Sequence, residues 1–97
     1  MPDPLGPEEI AAAVAELDWD LEGHELVKVV RLADFAAALA YVNRVGRLAE
    51  SIDHHPDIEL RWNTVTLRLY THVTGGITAN DIDLAHLVDE LDEISAP

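Results

Sequence analysis

Two adjacent histidines stand beside possible acid/base partners in the stretch ESIDHHPD, residues 50–57. Glu50 lies four positions before His54, so on a helix that reaches this far the two side chains would share a face. Pro56 favours an extended backbone at His55, whose side chain must then leave in another direction. An imidazole beside a carboxylate is suited to general acid or base catalysis. Glu50 is therefore predicted to orient His54.

The same residues allow two other interpretations. Histidine and carboxylate side chains are also metal ligands, and such a site could draw on His54, His55 and His72 with Glu50 or Asp53. However, the sequence has no HExxH motif, and neighbouring residues rarely hold one ion well. Two histidines at a helix end are equally compatible with a solvent-exposed polar cap. The local pattern leaves the acid/base site, the metal site and the cap open.

The composition excludes several classes of protein. The chain has 97 residues and no cysteine, which excludes a disulfide framework, a thiolate zinc site and a cysteine nucleophile. Nineteen acidic residues against six basic ones give a net charge of −13, which would repel nucleic acids and anionic membranes. The first residues lack the basic start and apolar run of a signal peptide. We expect a cytoplasmic protein with a short tail at 1–6 and a single domain at 7–97.

Three helices and two hairpins are predicted to position these residues. Apolar side chains at helical spacing predict helices at about 7–17, 35–53 and 79–93. Asp34 can cap the second helix and Pro56 ends it, while Thr78 and Asp81 resemble a capping box for the third. The acids of the last helix are interpreted as a solvated face; they are Asp89, Glu90, Asp92 and Glu93.

Alternating residues predict the strands. The first hairpin is predicted at 18–22 and 25–31, where Val27 and Val29 alternate with Lys28. The second hairpin turns near Asn63, and its second strand leads to His72. The resulting order α-β-β-α-β-β-α predicts an α+β fold, with a four-stranded antiparallel sheet and three helices packed on one face.

A longer spaced pattern resembles the signature of the pterin-4a-carbinolamine dehydratases. The pattern consists of Glu50, three residues, His54-His55-Pro56, five residues, Trp62, nine residues, His72, eight residues and Asp81. Further similarities extend it to about residues 17–92, among them Asp18-Trp19, Asp34-Phe35 and Gly75-Gly76-Ile77-Thr78. The fold known for this family, an α+β domain with a four-stranded antiparallel sheet, agrees with the element order above.

The resemblance implies an activity and roles for the residues. The activity is that of a hydro-lyase: loss of water from 4a-hydroxytetrahydropterin gives quinonoid dihydropterin, which recycles the tetrahydrobiopterin cofactor of aromatic amino-acid hydroxylation. It implies no metal, no bound cofactor and a homodimer or homotetramer. His54 and His72 resemble the acid/base histidines, and His55 the substrate-binding one. The other predicted site residues would bind the substrate or orient the histidines. Glu50 would orient or tune His54, and Asp81 would orient His72 or cap the third helix. Pro56 would fix the backbone beside His55, and Trp19 and Trp62 would form walls of the pterin pocket. Some proteins of this fold are instead non-enzymatic dimerisation or assembly modules, which is the alternative function.

Overall fold

The computed structural model describes residues 3–95, without the side chains of residues 94 and 95. The first two residues of the predicted tail and the last two of the predicted domain lie outside it. Its elements are α1 (Pro7–Val14), β1 (Asp20–Glu22), β2 (Glu25–Arg31), α2 (Phe35–Ser51), β3 (Asp57–Arg61), β4 (Thr64–Leu69) and α3 (Ala79–Ser95). The predicted α+β order is confirmed, although α1 and β1 are shorter than expected and α3 is longer.

The four strands form one antiparallel sheet in the order β1-β2-β4-β3. In the β3–β4 hairpin, Asp57 pairs with Arg68 and Arg61 pairs with Thr64. Because the two strands run in opposite directions, residues that precede β3 and residues that follow β4 lie at the same end of the hairpin. This topology places the segment 54–56 beside the segment 70–72.

The core lies between one face of the sheet and the helices. The fully buried side chains of β4 are Val65, Leu67 and Leu69. They pack with buried residues of the helices: Ala38, Tyr41, Val45 and Ala49 from α2, and Leu84, Ala85 and Val88 from α3. Each fully buried valine or leucine in this core contributes about 1.5–3 kcal/mol to stability, because its apolar surface is removed from water. α1 adds the partly buried Ile10 and Val14 at the edge.

Lys28 points to the covered face of the sheet. Side chains alternate along a strand, so Lys28 shares a face with Leu26, whereas Val29 is 64% exposed on the other face. The Lys28 Nζ atom lies 2.6 Å from Asp89 Oδ1 and 2.6 Å from Asp92 Oδ2. The interpretation of these two acids as part of a solvated face is therefore wrong, because they neutralise a buried lysine.

Two aromatic side chains complete this ionic network. The Tyr41 hydroxyl donates to Asp92 Oδ1 at 2.8 Å, and the Trp19 indole N–H donates to Asp89 Oδ1 at 3.0 Å. Burial alone would lower the pKa of Lys28, but hydrogen bonds and attraction from Asp89 and Asp92 raise it. Burial raises the pKa of Tyr41, and the hydrogen bond and charge of Asp92 raise it further. The network ties β2, α2 and α3 together.

Candidate active site

A left-handed residue ends α2 and sets the direction of the histidine segment. Asp53 has φ 50°, a region usually occupied by glycine. Its N–H donates to Glu50 O at 3.3 Å, and the N–H of His54 donates to Ala49 O at 3.1 Å. These two bonds form a Schellman motif, which satisfies the last carbonyls of the helix. α2 therefore ends at Ser51 instead of 53, and Glu50 and His54 do not share a helical face.

His54 pairs with Asp81 from the start of α3. The distance from His54 Nε2 to Asp81 Oδ1 is 2.5 Å. The His54 side chain is 14% exposed, and Asp81 is fully buried. Asp81 also accepts the Thr78 N–H at 2.8 Å, which is one half of the predicted capping box, while the Thr78 hydroxyl lies 3.0 Å from the Thr71 hydroxyl. Asp81 thus caps α3, as one of its two predicted roles required, but the histidine that it orients is His54, not His72.

His55 pairs with Glu50 at the surface. The distance from His55 Nε2 to Glu50 Oε2 is 2.5 Å, and the two side chains are 54% and 77% exposed. The prediction that Glu50 orients His54 is wrong, because the turn after Ser51 carries His54 inward and leaves His55 beside Glu50. Pro56, half-buried, links His55 to the start of β3.

His72 lies in a tight loop after β4. The Thr71 N–H donates to Gly76 O at 3.0 Å and closes this loop. The His72 side chain is 71% exposed, with its Nε2 atom 3.9 Å from Asp57 Oδ2 and its ring edge-on to Tyr70 at 4.8 Å. All three histidines of the signature are thereby placed at one end of the β3–β4 hairpin.

Thr71 links the Asp81–His54 pair to the loop that carries His72. Its hydroxyl donates to Asp81 Oδ2 at 2.7 Å, while Asp81 Oδ1 contacts His54. Thr71 directly precedes His72 in the chain. Sequence reasoning did not single out Thr71, because a threonine at a strand end carries no local signal of its partner.

The two tryptophans lie away from this site within one chain. Trp62 occupies the β3–β4 turn with φ 49° and is 66% exposed. The length of β3, about 17 Å for five residues, separates it from the histidines. Trp19 is 5% exposed and bonded to Asp89, which is eight residues, or about 12 Å, along α3 from Asp81. The structure does not bring either tryptophan to the histidines as a pocket wall.

Two open clefts involve segments next to the site, although none of the three signature histidines lines either of them. An apolar cleft of about 340 Å³ is lined by the N-terminal segment, the β1–β2 turn and Gly75–Gly76 of the His72 loop. A groove of about 760 Å³ runs along α2 between Val42 and Ile58 and reaches Glu50, the partner of His55. Within residues 3–95, no three potential ligand side chains gather closely enough to hold a metal ion.

Comparison with known proteins identifies the family. The sequence matches the family described as Pterin 4 alpha carbinolamine dehydratase over residues 3–91. The chain belongs to the pterin 4 alpha carbinolamine dehydratase family. A relative from Nocardia farcinica, whose name assigns it to pterin-4-alpha-carbinolamine dehydratase, is 50% identical over 88 residues, covering 90% of this chain and 93% of its own. The family predicted from the spaced signature is confirmed, and the dehydratase in this relative's name belongs to the hydro-lyases.

Solved structures of similar fold agree with this assignment. A Brucella melitensis protein described as a transcriptional coactivator/pterin dehydratase superposes with a TM-score of 0.85 at 28% identity, covering 92% of this chain and 98% of its own. A pterin dehydratase-like protein described as a RuBisCO assembly factor in the alpha-carboxysome superposes with a TM-score of 0.60 at 21% identity, covering 77% and 87%. The second likeness concerns the dehydratase fold alone. None of the helices within residues 3–95 combines the length and apolar character of a membrane span.

Proposed function

We propose that this protein dehydrates 4a-hydroxytetrahydropterin to quinonoid dihydropterin through two histidines. The hydroxyl on C4a takes up a proton and leaves as water, and the proton on N5 is removed, so one proton is delivered and one is collected in each turnover. A pair of imidazoles can perform both transfers. His54 and His72 are the proposed pair, and His55 is the proposed substrate-binding histidine.

The observation that carries the proposal is the placement of His54. Its ring is held against the buried carboxylate of Asp81, at the end of the hairpin where His72 is exposed. A buried carboxylate hydrogen-bonded to an imidazole restricts the orientation and the tautomer of the ring, which is what acid/base catalysis asks of such a partner. His55 stands beside this pair, with Glu50 as its surface partner.

A spectrophotometric dehydration assay tests the activity. We expect His54→Ala and His72→Ala each to lower kcat by about 10²–10⁴-fold, the usual contribution of a general acid or base. His86→Ala is the matched control, since His86 lies on α3 in the groove of Asp89 and Asp92, apart from the signature histidines, and should retain the wild-type rate. Equal rates in the wild type and both site variants would refute the proposed pair.

Self-association is a further part of the proposal, as a homodimer or homotetramer. α2 exposes Phe35 (48%) and Leu39 (44%) in one row. Gly46 continues this row, and no other element of the described residues comes within 4 Å of the position that a β-carbon would take there. An exposed apolar row with a glycine allows close approach of another helix. Sedimentation velocity should give an oligomer for the wild type and a monomer for Leu39→Glu; a monomeric wild type contradicts this part.

The same exposed row favours one alternative function, a non-enzymatic dimerisation or assembly module. In that case, Leu39→Glu would abolish capture of a partner protein, while the pterin assay would show no turnover above background for the wild type. Turnover that falls in the histidine variants but not in Leu39→Glu would reject the alternative.

The wider context of the reaction also remains a prediction. Recycling of tetrahydrobiopterin requires a hydroxylase that produces the 4a-hydroxy compound, and a coupled assay with such an enzyme tests it. The cytoplasmic location, expected from the composition, can be checked by cell fractionation. The division into a tail at 1–6 and one domain at 7–97 can be checked by limited proteolysis.

A further inference from the structure

The two carboxylate oxygens of Asp81 have different hydrogen-bond partners. Oδ1 faces His54 Nε2 at 2.5 Å. Oδ2 accepts the Thr78 N–H at 2.8 Å and the Thr71 hydroxyl at 2.7 Å. Asp81 is fully buried, so these groups take the place of water around it.

The Thr71 hydroxyl makes the shorter of the two hydroxyl contacts with Asp81 Oδ2, at 2.7 Å, whereas the Thr78 hydroxyl lies 3.4 Å from that oxygen. A carboxylate only accepts hydrogen bonds, so the Thr71 hydroxyl donates its proton to Asp81 Oδ2. The oxygen of Thr71 is then free to accept from the Thr78 hydroxyl, 3.0 Å away. A chain of bonds therefore runs from Thr78 through Thr71 to Asp81 and ends at His54.

The backbone of Thr71 is hydrogen-bonded within the loop that carries His72. Its N–H donates to Gly76 O at 3.0 Å, and its carbonyl accepts the Gly75 N–H at 3.0 Å. These two bonds form the loop that carries His72. Thr71 is thus bound to Asp81 through its side chain and to the His72 loop through its backbone.

We propose that Thr71 is a positioning residue that holds Asp81 against His54 Nε2, so that Nδ1 of His54 is the atom that exchanges a proton with the substrate. Because Asp81 accepts at Nε2, that nitrogen keeps its hydrogen in both the neutral and the protonated ring. The proton gained or lost in turnover then resides on Nδ1. The kinetic part of this inference rests on the proposed dehydratase function, whereas the tautomer does not.

Nitrogen-15 NMR of the histidine-labelled full chain tests the tautomer without any assay of activity. With His54→Gln used to assign the signals, we expect the neutral wild-type ring of His54 to carry its proton on Nε2. In Thr71→Val, which removes the hydroxyl at similar volume, we expect a mixture of both tautomers. A proton on Nδ1 in the wild type, or an unchanged single tautomer in Thr71→Val, overturns the proposal.

Kinetics test the positioning role. A small displacement of a catalytic group can cost on the order of 10²-fold in rate, so we expect Thr71→Val to lower kcat by about 10–100-fold with KM changed less than about threefold. Thr71→Ser should restore the rate because it restores the hydroxyl. The matched control is Thr74→Val, since the hydrogen bond found for the Thr74 hydroxyl within the described residues goes to the Thr71 carbonyl, at 3.3 Å.

These experiments test the role of the Thr71 hydroxyl and the dehydratase function separately. Failure of Thr71→Ser to recover the rate, or an equal loss in Thr74→Val, refutes a specific role for the Thr71 hydroxyl. Absence of turnover in the wild type refutes the dehydratase function but leaves the NMR result as the measure of the Asp81–His54 arrangement.

Discussion

Replacement of Tyr41 by phenylalanine should change how the stability of the protein depends on alkaline pH. The Tyr41 hydroxyl is buried in the core and donates to Asp92. Loss of a hydrogen bond to a charged group costs about 1.5–3 kcal/mol. At pH 8 we therefore expect Tyr41→Phe to unfold more easily than the wild type by roughly this amount.

The stability difference between Tyr41→Phe and the wild type shrinks as the pH rises above 10. Burial and Asp92 raise the folded-state pKa of Tyr41 above its unfolded value of about 10. Its contribution to stability is consequently complete below pH 10 and is lost as the pH rises towards the folded-state value. In that window the folded state holds one more proton than the unfolded state, so the contribution falls by about 1.4 kcal/mol per pH unit. The difference between the two proteins should vanish about one to two units above pH 10.

Urea unfolding at fixed pH values between 8 and 11.5 measures this difference. The fluorescence of the buried Trp19 and far-ultraviolet circular dichroism report the transition. Lys28 is present in both proteins, so its own alkaline titration largely cancels in the comparison. Tyr70→Phe controls for loss of a phenol outside the network. A constant difference across the whole range, or an equal change of slope in Tyr70→Phe, would refute the reasoning.

Three further changes test other parts of the structure by urea unfolding. Lys28→Met should lower the free energy of unfolding by about 1.5–3 kcal/mol, because it removes the cation that is hydrogen-bonded to two partly buried carboxylates; a loss below about 0.5 kcal/mol would contradict the network. Asp53→Gly should preserve stability or raise it by up to about 1 kcal/mol, whereas Asp53→Val should lower it by about 1–2 kcal/mol through strain at positive φ; the opposite order would contradict the helix-ending turn. Leu67→Ala should cost about 2–5 kcal/mol and Val29→Ala less than about 0.5 kcal/mol, and similar losses at both positions would contradict the assignment of the covered face.

Local patterns were sufficient to predict the element order. Helical and strand periodicity reflect which side chains leave water, and this preference is present in the sequence before any tertiary contact forms. β2 begins at Glu25 and ends at Arg31, as predicted. The capping role of Asp81 for α3 also depends on residues only three positions apart. The spaced signature, with its three histidines, was enough to predict the family.

Local patterns could not predict which charged side chains pair with one another. Glu50 was paired with the wrong histidine because a single residue, Asp53, adopts a left-handed conformation and ends α2 early. The burial of Lys28 could not be predicted, since nothing nearby in sequence showed that Asp89 and Asp92 would neutralise it. Ion pairs depend on distance in space, and these partners are about sixty residues apart.

The sequence alone determined the helices, the strands, the fold class and the family signature, because each depends on local periodicity or on fixed spacing along the chain. Only the tertiary structure decided that His54 meets Asp81, that Thr71 joins them, and that both tryptophans lie elsewhere. The physical reason is that hydrogen bonds within the site act over about 3 Å, and only the antiparallel hairpin and the docked α3 bring residues 54, 71 and 81 within that distance.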